Sequence, residues 1–272
     1  MRTPEWLNLT LFSFFVLVSW VWRSRSQSRV AISVIGILGI SSIIAAEFTA
    51  RVLSPLTVSV IRDWLPTPLM PMVYWQAGRF AGQPNDKFQQ ALHRLDGKWV
   101  AGVLRRLTVT RSYHWLSSSL ELAYLSCYVL VPLGLGALYI AHLRKFANEY
   151  WLVILSATYP CYVFTAFVPT LPPRLLEADS VPLRKDKIRR FNLWIIRHLS
   201  HRLNTFPSAH VTATLGGSLV LLRHAPKIGI LFLLVSIGIA LGALTGRYHY
   251  AADVVVASVV VVAVFIFMIL FT

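Results

Sequence analysis

Residues 246–271 read GRYHYAADVVVASVVVVAVFIFMILF, and this stretch decides the fold class. From Tyr250 to Phe271 the only charged side chain is Asp253, and the run is long enough for an α-helix, which needs about 20 apolar residues to cross a bilayer. A carboxylate inside such a run is energetically costly, so its default interpretation is a functional one. The stretch therefore predicts a membrane helix that begins at a chemically active group.

Six further apolar runs have the same character: Trp6 to Trp22, Val30 to Ala50, Trp115 to Ala141, Trp151 to Thr170, Pro207 to Leu222 and Ile228 to Thr245. Of the 272 residues, 56% are hydrophobic and 14% are charged, compared with roughly 25% charged in soluble domains. We therefore expect an all-α fold, a polytopic membrane helical bundle of about 6–8 transmembrane helices. The first run lacks a small-residue cleavage site, so it predicts a retained anchor.

The charge balance predicts contact with membrane lipids. The chain has 26 Lys and Arg against 11 Asp and Glu, a net charge of +15. These cations lie between the apolar runs, where they meet lipid head groups or an anionic substrate, so we expect no nucleic acid partner. Cys127 and Cys161 lie inside apolar runs and are expected to be buried thiols without a disulfide.

The segment from Val52 to Phe80 decides the topology. It is apolar, but it carries Arg62-Asp63 at its centre and Pro66, Pro68 and Pro71 just after, and we predict a re-entrant or interfacial element. In that case three basic clusters share the cytoplasmic face and the N-terminus lies outside. If the segment does cross, only the first cluster changes side. The clusters are Arg23/Arg25/Arg29, Arg144/Lys145 and Arg223/Lys227.

His249 and Asp253 are the first candidates for chemistry. They are four residues apart at the start of a helix, so both project from one face and can touch. A carboxylate beside an imidazole fixes the ring's tautomer and orientation, and leaves the other ring nitrogen free as a nucleophile. The alternative is a helix-end histidine that pairs with an acid for solvation alone, and the pair by itself does not decide between the two.

A second candidate is the sequence Phe206-Pro207-Ser208-Ala209-His210. Pro207 suits the first turn of a helix, and the free backbone N–H groups of such a helix start favour a phosphate. The Ser208 hydroxyl adds a donor, and His210 is placed to protonate a leaving oxygen. Taken alone, the motif is explained better as a capped helix with an interfacial histidine.

Arg174 and Arg247 supply the cations that a phosphoryl group needs, because one guanidinium can hold two phosphate oxygens. An isolated interfacial arginine usually snorkels toward water. Two arginines at the same membrane depth as two histidines and a helix start favour a phosphate site.

These residues belong to three motifs: Pro172-Pro173-Arg174, Phe206 to His210, and Gly246 to Asp253. In order and spacing the three motifs resemble the type 2 phosphatidic acid phosphatase (PAP2) superfamily, whose pattern is Lys-x6-Arg-Pro, Pro-Ser-Gly-His and Ser-Arg-x5-His-x3-Asp. The resemblance covers the chain from about Trp115 onward. It implies a membrane-anchoring segment at 1–112, with two spans and the re-entrant or interfacial amphipathic region, and a PAP2-like catalytic helical bundle at 113–272.

The resemblance also implies a role for each site residue. His249 would attack phosphorus to give a phosphohistidine, Asp253 would orient His249, and His210 would be the general acid. The phosphate oxygens would be held by Ser208, Ala209, Arg174 and Arg247. The family implies no metal and no cofactor.

The chain departs from the family pattern at several positions. Phe167 stands where the first motif has lysine, Leu175 follows Arg174 in place of proline, Ala209 replaces glycine, and Ala243 stands where the third motif has arginine. Arg190, Arg189 or Lys187 are therefore candidates for the missing cation. The changes, together with Leu95-Asp96 before Trp99, resemble the branch that contains inositol phosphorylceramide synthase.

The leading hypothesis is a metal-independent membrane phosphatase or phosphotransferase that acts on a lipid phosphate or pyrophosphate. We expect it in a bacterial inner membrane, with the active site on the outer, periplasmic face. The first alternative is transfer of a phospho-head group, as in the inositol phosphorylceramide synthase branch. The second is a non-enzymatic protein that binds or transports anionic lipids. The oligomeric state and the lipid are left open.

Overall fold

The computed structural model describes residues 1–22, 28–99, 114–177, 187–203 and 205–271, and the regular structure within these ranges is entirely helical, as predicted. The helices are α1 (Thr3–Val21), α2 (Arg29–Phe48), α3 (Pro55–Trp64), α4 (Pro66–Gly78), α5 (Asp86–Trp99), α6 (His114–Leu125), α7 (Cys127–Ile140), α8 (Ala147–Phe167), α9 (Pro173–Leu176), α10 (Lys187–Leu199), α11 (Ala209–His224), α12 (Pro226–Thr245) and α13 (Ala251–Phe271). Short 3-10 turns precede α3 and α8.

Five of these helices are long and apolar enough to cross a membrane: α1, α2, α8, α12 and α13, where α2 and α8 are counted with their adjoining turns. A sixth span is possible if α6 and α7 count as one. The span predicted from Trp115 to Ala141 consists of two helices, because α6 and α7 are bent by 62° at Ser126. The Ser126 hydroxyl donates to the Ala123 carbonyl at 2.6 Å, where the helix breaks.

The run predicted as a span at Pro207 to Leu222 forms α11, which has only 16 residues. That is shorter than the roughly 20 residues that a full crossing needs. The helix packs against α8, α12 and α13 and contributes several buried side chains. Its neighbours are therefore largely protein, which explains why a moderately apolar helix of this length is stable at the centre of the bundle.

The N-terminal segment and the motif-bearing half form one hydrophobic core. α4 packs against α1, α2 and α8. Phe12 and Phe15 of α1 and Val73 of α4 are fully buried in the same cluster as Leu135 and Ile154. The first helices therefore shape the bundle as well as anchoring it.

The topology follows the alternative in which the segment at 52–80 runs from one end of the bundle to the other. Arg2 and Arg144 both pair with Asp63, at 2.5 and 2.6 Å, so the N-terminus lies beside the Arg144/Lys145 cluster. We call this the N-terminal end of the bundle. α4 starts there and finishes at Gly78, against the His201 ring. The expectation that the N-terminus lies opposite to that cluster is therefore wrong.

The three motifs meet at the other end, which we call the motif end. α8 and α12 finish there, and α11 and α13 begin there. The Arg223/Lys227 cluster is at the N-terminal end, since Arg223 pairs with Glu149 in the first turn of α8 at 3.1 Å. The first basic cluster changes ends: Arg29 starts α2 at the motif end, while Arg23 and Arg25 lie outside the described residues.

Candidate active site

His249 is held in one tautomer. Its ring is 5% exposed, and Nδ1 lies 2.8 Å from the Thr205 backbone carbonyl and 3.2 Å from Asp253 Oδ2. A carbonyl oxygen can only accept a hydrogen bond, so Nδ1 must carry the proton. The lone pair of Nε2 is then available for attack on an electrophile.

Asp253 joins the starts of α11 and α13. Its Oδ2 accepts the Tyr250 backbone N–H at 2.9 Å, and its backbone carbonyl accepts the Ser208 N–H at 3.2 Å. The Asp253 side chain is fully buried. It therefore fixes the backbone around both histidine motifs, while the shorter hydrogen bond of the His249 ring is the one that Nδ1 donates to the Thr205 carbonyl.

His210 stands in the first turn of α11, beside His249. The two rings are edge to face with centroids 6.2 Å apart, and the Tyr124 and Tyr128 rings pack around His210 at 5.9 and 5.5 Å. Ser208, at the helix start, is fully buried, and its hydroxyl has no hydrogen-bond partner among the described residues. The two histidines therefore share one aromatic environment.

Arg174 carries a charge that is not neutralised by any described side chain. Its backbone N–H donates to the Arg247 carbonyl at 3.0 Å, and its guanidinium lies over the Tyr248 ring, 5.3 Å from the centroid. Tyr248 in turn stacks on Tyr124 at 4.3 Å and donates its hydroxyl to Glu121 at 2.7 Å. Burial lowers the pKa of Arg174, and an arginine stays charged despite such a shift.

Arg247 is placed differently from what the motif predicts. Its backbone adopts a left-handed φ of 57°, and its guanidinium pairs with Glu177 (Nε to Oε2, 2.8 Å) and with Asp96 (Nη2 to Oδ2, 2.6 Å). Burial works to lower the pKa of Arg247, but these two carboxylates outweigh it and raise that pKa. Arg247 is thus engaged in a structural ion-pair network.

The additional cation candidates lie apart from the histidines. Arg189 is buried, where it pairs with Glu121 at 2.6 Å and donates to the Gly246 carbonyl at 3.1 Å. Lys187 and Arg190 are exposed on α10. None of these three residues lines the cavity that contains His210 and His249.

That cavity has a volume of about 240 Å³ and brings four of the predicted residues together: His249, His210, Arg174 and Ala209. Ser208, Asp253 and Arg247 do not line it. Aromatic and aliphatic side chains make most of the remaining lining, including Tyr74, Trp75 and Trp151. Polar groups at one end of a largely apolar cavity are typical of a site for an amphipathic ligand.

Two contributors to the site carried little signal in the sequence. Thr205 acts through its backbone carbonyl, which no side-chain pattern reveals. Asp96, on the amphipathic helix α5, accepts the backbone N–H of Ala251 at 2.9 Å in addition to pairing with Arg247. It thereby caps α13 from a different helix.

We predict that Asp96→Ala lowers stability more than Asp96→Asn does. Asparagine keeps an oxygen for the Ala251 N–H, whereas alanine leaves both this donor and one side of the buried Arg247 unpaired, a cost of about 2–4 kcal/mol. Thermal unfolding in detergent measures the difference. Equal melting temperatures for Asp96→Ala and the unmodified protein would contradict the capping role.

A family model describes the part of the chain that builds this site. The model of the PAP2 superfamily matches residues 90–267, from within α5 to near the end of α13. No curated protein and no solved structure matches the chain. Among the described residues, no group of three His, Cys, Asp or Glu side chains stands close enough to hold a metal ion. Because the model spans well over half of the sequence, including all three motifs, the chain belongs to the PAP2 superfamily.

Proposed function

We propose that this protein is an integral-membrane phosphatase that hydrolyses a lipid phosphate or pyrophosphate through a phosphohistidine on His249. Membership of the PAP2 superfamily supports a phosphatase-type activity on lipid phosphates at the level of the family. The observation that carries the finer proposal is the 2.8 Å hydrogen bond from His249 Nδ1 to the Thr205 carbonyl. In the neutral ring this bond keeps the proton on Nδ1, so Nε2 carries the lone pair in a cavity that His210 and Arg174 also line.

In the first step, Nε2 of His249 attacks phosphorus and forms an N–P bond. The P–O bond to the lipid breaks, and His210 gives a proton to the departing oxygen. Burial and the nearby His249 lower the pKa of His210 to about 3, so His210 takes up this proton only when the anionic phosphate lies beside it. Charge accumulates on the phosphoryl oxygens in the transition state, and the Arg174 guanidinium stabilises it. The Thr205 carbonyl and Asp253 stabilise the positive charge that develops on the His249 ring.

In the second step, water attacks the phosphohistidine. Neutral His210 takes a proton from that water, the N–P bond breaks, and inorganic phosphate leaves. An alcohol in place of water would give a phosphorylated alcohol by the same steps. Hydrolysis and transfer therefore share every residue named so far and differ only in the acceptor that reaches the intermediate.

We also propose that the reaction takes place at the outer face of the membrane. The motif end is opposite to the Arg144/Lys145 and Arg223/Lys227 clusters, which the positive-inside rule assigns to the cytoplasm. In a bacterial inner membrane this face is periplasmic. The rule applies to short connections, so the basic residues of the long motif-end segment, such as Lys187 and Arg197 of α10, do not count against it. Of the three short basic clusters, two lie at the N-terminal end, and Arg29 of the third lies at the motif end.

The direct test is to trap the phosphoenzyme. We expect that protein incubated in detergent micelles with phosphorus-labelled phosphatidic acid, a polyprenyl phosphate or a polyprenyl pyrophosphate, with a chelator present, becomes labelled. The label should survive alkali and be lost in acid, because a phosphoramidate on histidine has that stability. A label stable to acid would indicate a phosphoester and would exclude His249 as the attacking group.

The other hypotheses give different results in the same assay. A transferase forms the labelled protein but releases little phosphate until an alcohol is added, and then gives a labelled lipid product. A protein that only binds anionic lipids gives neither label nor product from any lipid in the panel, although it retains labelled lipid during gel filtration.

A further inference from the structure

The cavity beside the histidines is much longer than a phosphate requires. Tyr162 and Trp151 both line it and lie eleven residues apart on α8, so the cavity touches side chains whose positions on that helix are about 17 Å apart, at roughly 1.5 Å per residue. Its volume is about 240 Å³. A space that is long for its volume is narrow, which suits one extended chain better than a bulky head group.

The walls of the long part come from two helices that face each other across it. α4 contributes Met70 and Pro71 on one side, and α7 contributes Val131 and Pro132 on the other. Trp151 lies at the far end, where its indole N–H already donates to the Asp63 carbonyl at 2.6 Å. The side chains along the walls therefore offer few hydrogen bonds to a ligand and a large apolar surface.

The charged groups lie only at the motif end of the cavity. Arg174, His210 and His249 line it there, together with His201 and Arg202, which follow the end of α10. A ligand that fits both parts has an anionic head at that end and an apolar chain directed toward the N-terminal end of the bundle.

α4 belongs to the N-terminal segment, outside the residues 90–267 that the family model matches. Building on the function proposed above, we infer that α4 is a specificity element, and that Met70 of α4 together with Val131 of α7 binds one apolar chain of the phosphate substrate along the cavity. The site accordingly selects substrates by the length of that chain. The N-terminal segment, expected from the sequence to serve as an anchor, thereby contributes to substrate selection.

The selectivity is measured with three single-chain substrates: hexyl, dodecyl and hexadecyl phosphate, in detergent, with phosphate release as the readout. Each methylene that the cavity withdraws from water strengthens binding by up to about fourfold. We expect kcat/KM of the unmodified protein to rise from hexyl to dodecyl phosphate by at least tenfold and to rise little further with hexadecyl phosphate.

Variants that enlarge or shorten a side chain of the cavity wall distinguish a role in chain binding from a role in general packing. Met70→Trp narrows the cavity and is expected to reduce the ratio of kcat/KM for dodecyl phosphate to kcat/KM for hexyl phosphate at least tenfold. Met70→Ala, which serves if the tryptophan variant does not fold, should reduce the same ratio by a smaller factor. Met72→Ala is the matched control, because Met72 is on the same helix but does not line the cavity.

Thr67 of α4 provides an independent test of what occupies the cavity. It lines the far part, and its hydroxyl has no hydrogen-bond partner among the described residues. An apolar chain predicts that Thr67→Val keeps or increases the preference for dodecyl phosphate. A fall in that preference would mean that a polar group or a column of water fills this space, and would overturn the inference.

Failure of the proposed function does not obscure the result. If the unmodified protein releases phosphate from none of the three esters, equilibrium binding of hexyl and dodecyl phosphate to the protein takes the place of kcat/KM. Loss of the chain-length dependence of binding in Met70→Trp then supports the inference, and an unchanged dependence overturns it.

Discussion

Replacing His249 with alanine is expected to lower phosphate release from a lipid phosphate by about 10⁴-fold or more, the scale on which nucleophile loss acts in covalent catalysis. The alanine side chain has no lone pair that could attack phosphorus. Among the described residues no other histidine ring contacts both Thr205 and Asp253, so none can take the place of His249. Phosphate release and alkali-stable labelling of the protein should disappear together. Both are measured on the same detergent preparation.

The control for this experiment is His198→Ala. His198 is exposed on α10, its Nδ1 lies 2.7 Å from the Trp194 carbonyl, and it does not line the cavity. Its replacement removes the same kind of side chain from the same end of the bundle, so activity should stay within about twofold. If His249→Ala folds, shown by an unchanged elution volume and melting curve, and still forms the phosphoenzyme, the nucleophile is another residue.

The fold could be predicted well where hydrophobicity alone decides it. The runs that became α1, α2, α8, α12 and α13 are long and apolar, and the bilayer imposes the same length requirement on each. The bend at Ser126 escaped prediction because the chain stays apolar through it. The path of α4 escaped prediction for a different reason: its 13 residues are too few for an isolated span, and packing against α1, α2 and α8 stabilises it.

Only those parts of the site that consist of side chains in short sequence motifs could be predicted. His210 and His249 are 39 positions apart and still meet, because α11 and α12 form a hairpin that returns the chain to the motif end. The partners of Arg247 were not predictable, since Asp96 lies on α5 and Glu177 follows the end of α9, both far from Arg247 in sequence. No local sequence pattern distinguishes an arginine whose guanidinium is available to bind phosphate from one that already forms an ion pair with a carboxylate.

This distinction makes Arg174 the second residue with a large expected effect. Arg174→Ala is expected to lower kcat/KM about 10²- to 10³-fold, because a cation at the developing negative charge acts mainly in the transition state. Among the described residues its guanidinium has no ion pair to lose, so the melting temperature should change little. Arg190→Ala, which removes an exposed arginine of α10, is the matched control and should keep full activity.

Arg174→Lys tests whether the charge at this position matters, because burial lowers the pKa of an arginine and of a lysine alike. Burial lowers the pKa of Arg174, and a lysine in its place starts from a lower pKa of about 10.4 and is shifted more readily. The variant is therefore expected to recover part of the activity near neutral pH and to lose it as the pH rises and the ammonium deprotonates. The unmodified protein should show no such loss, since its guanidinium stays charged. If the activity of Arg174→Lys does not fall at alkaline pH, the charge at this position does not interact with the phosphoryl group.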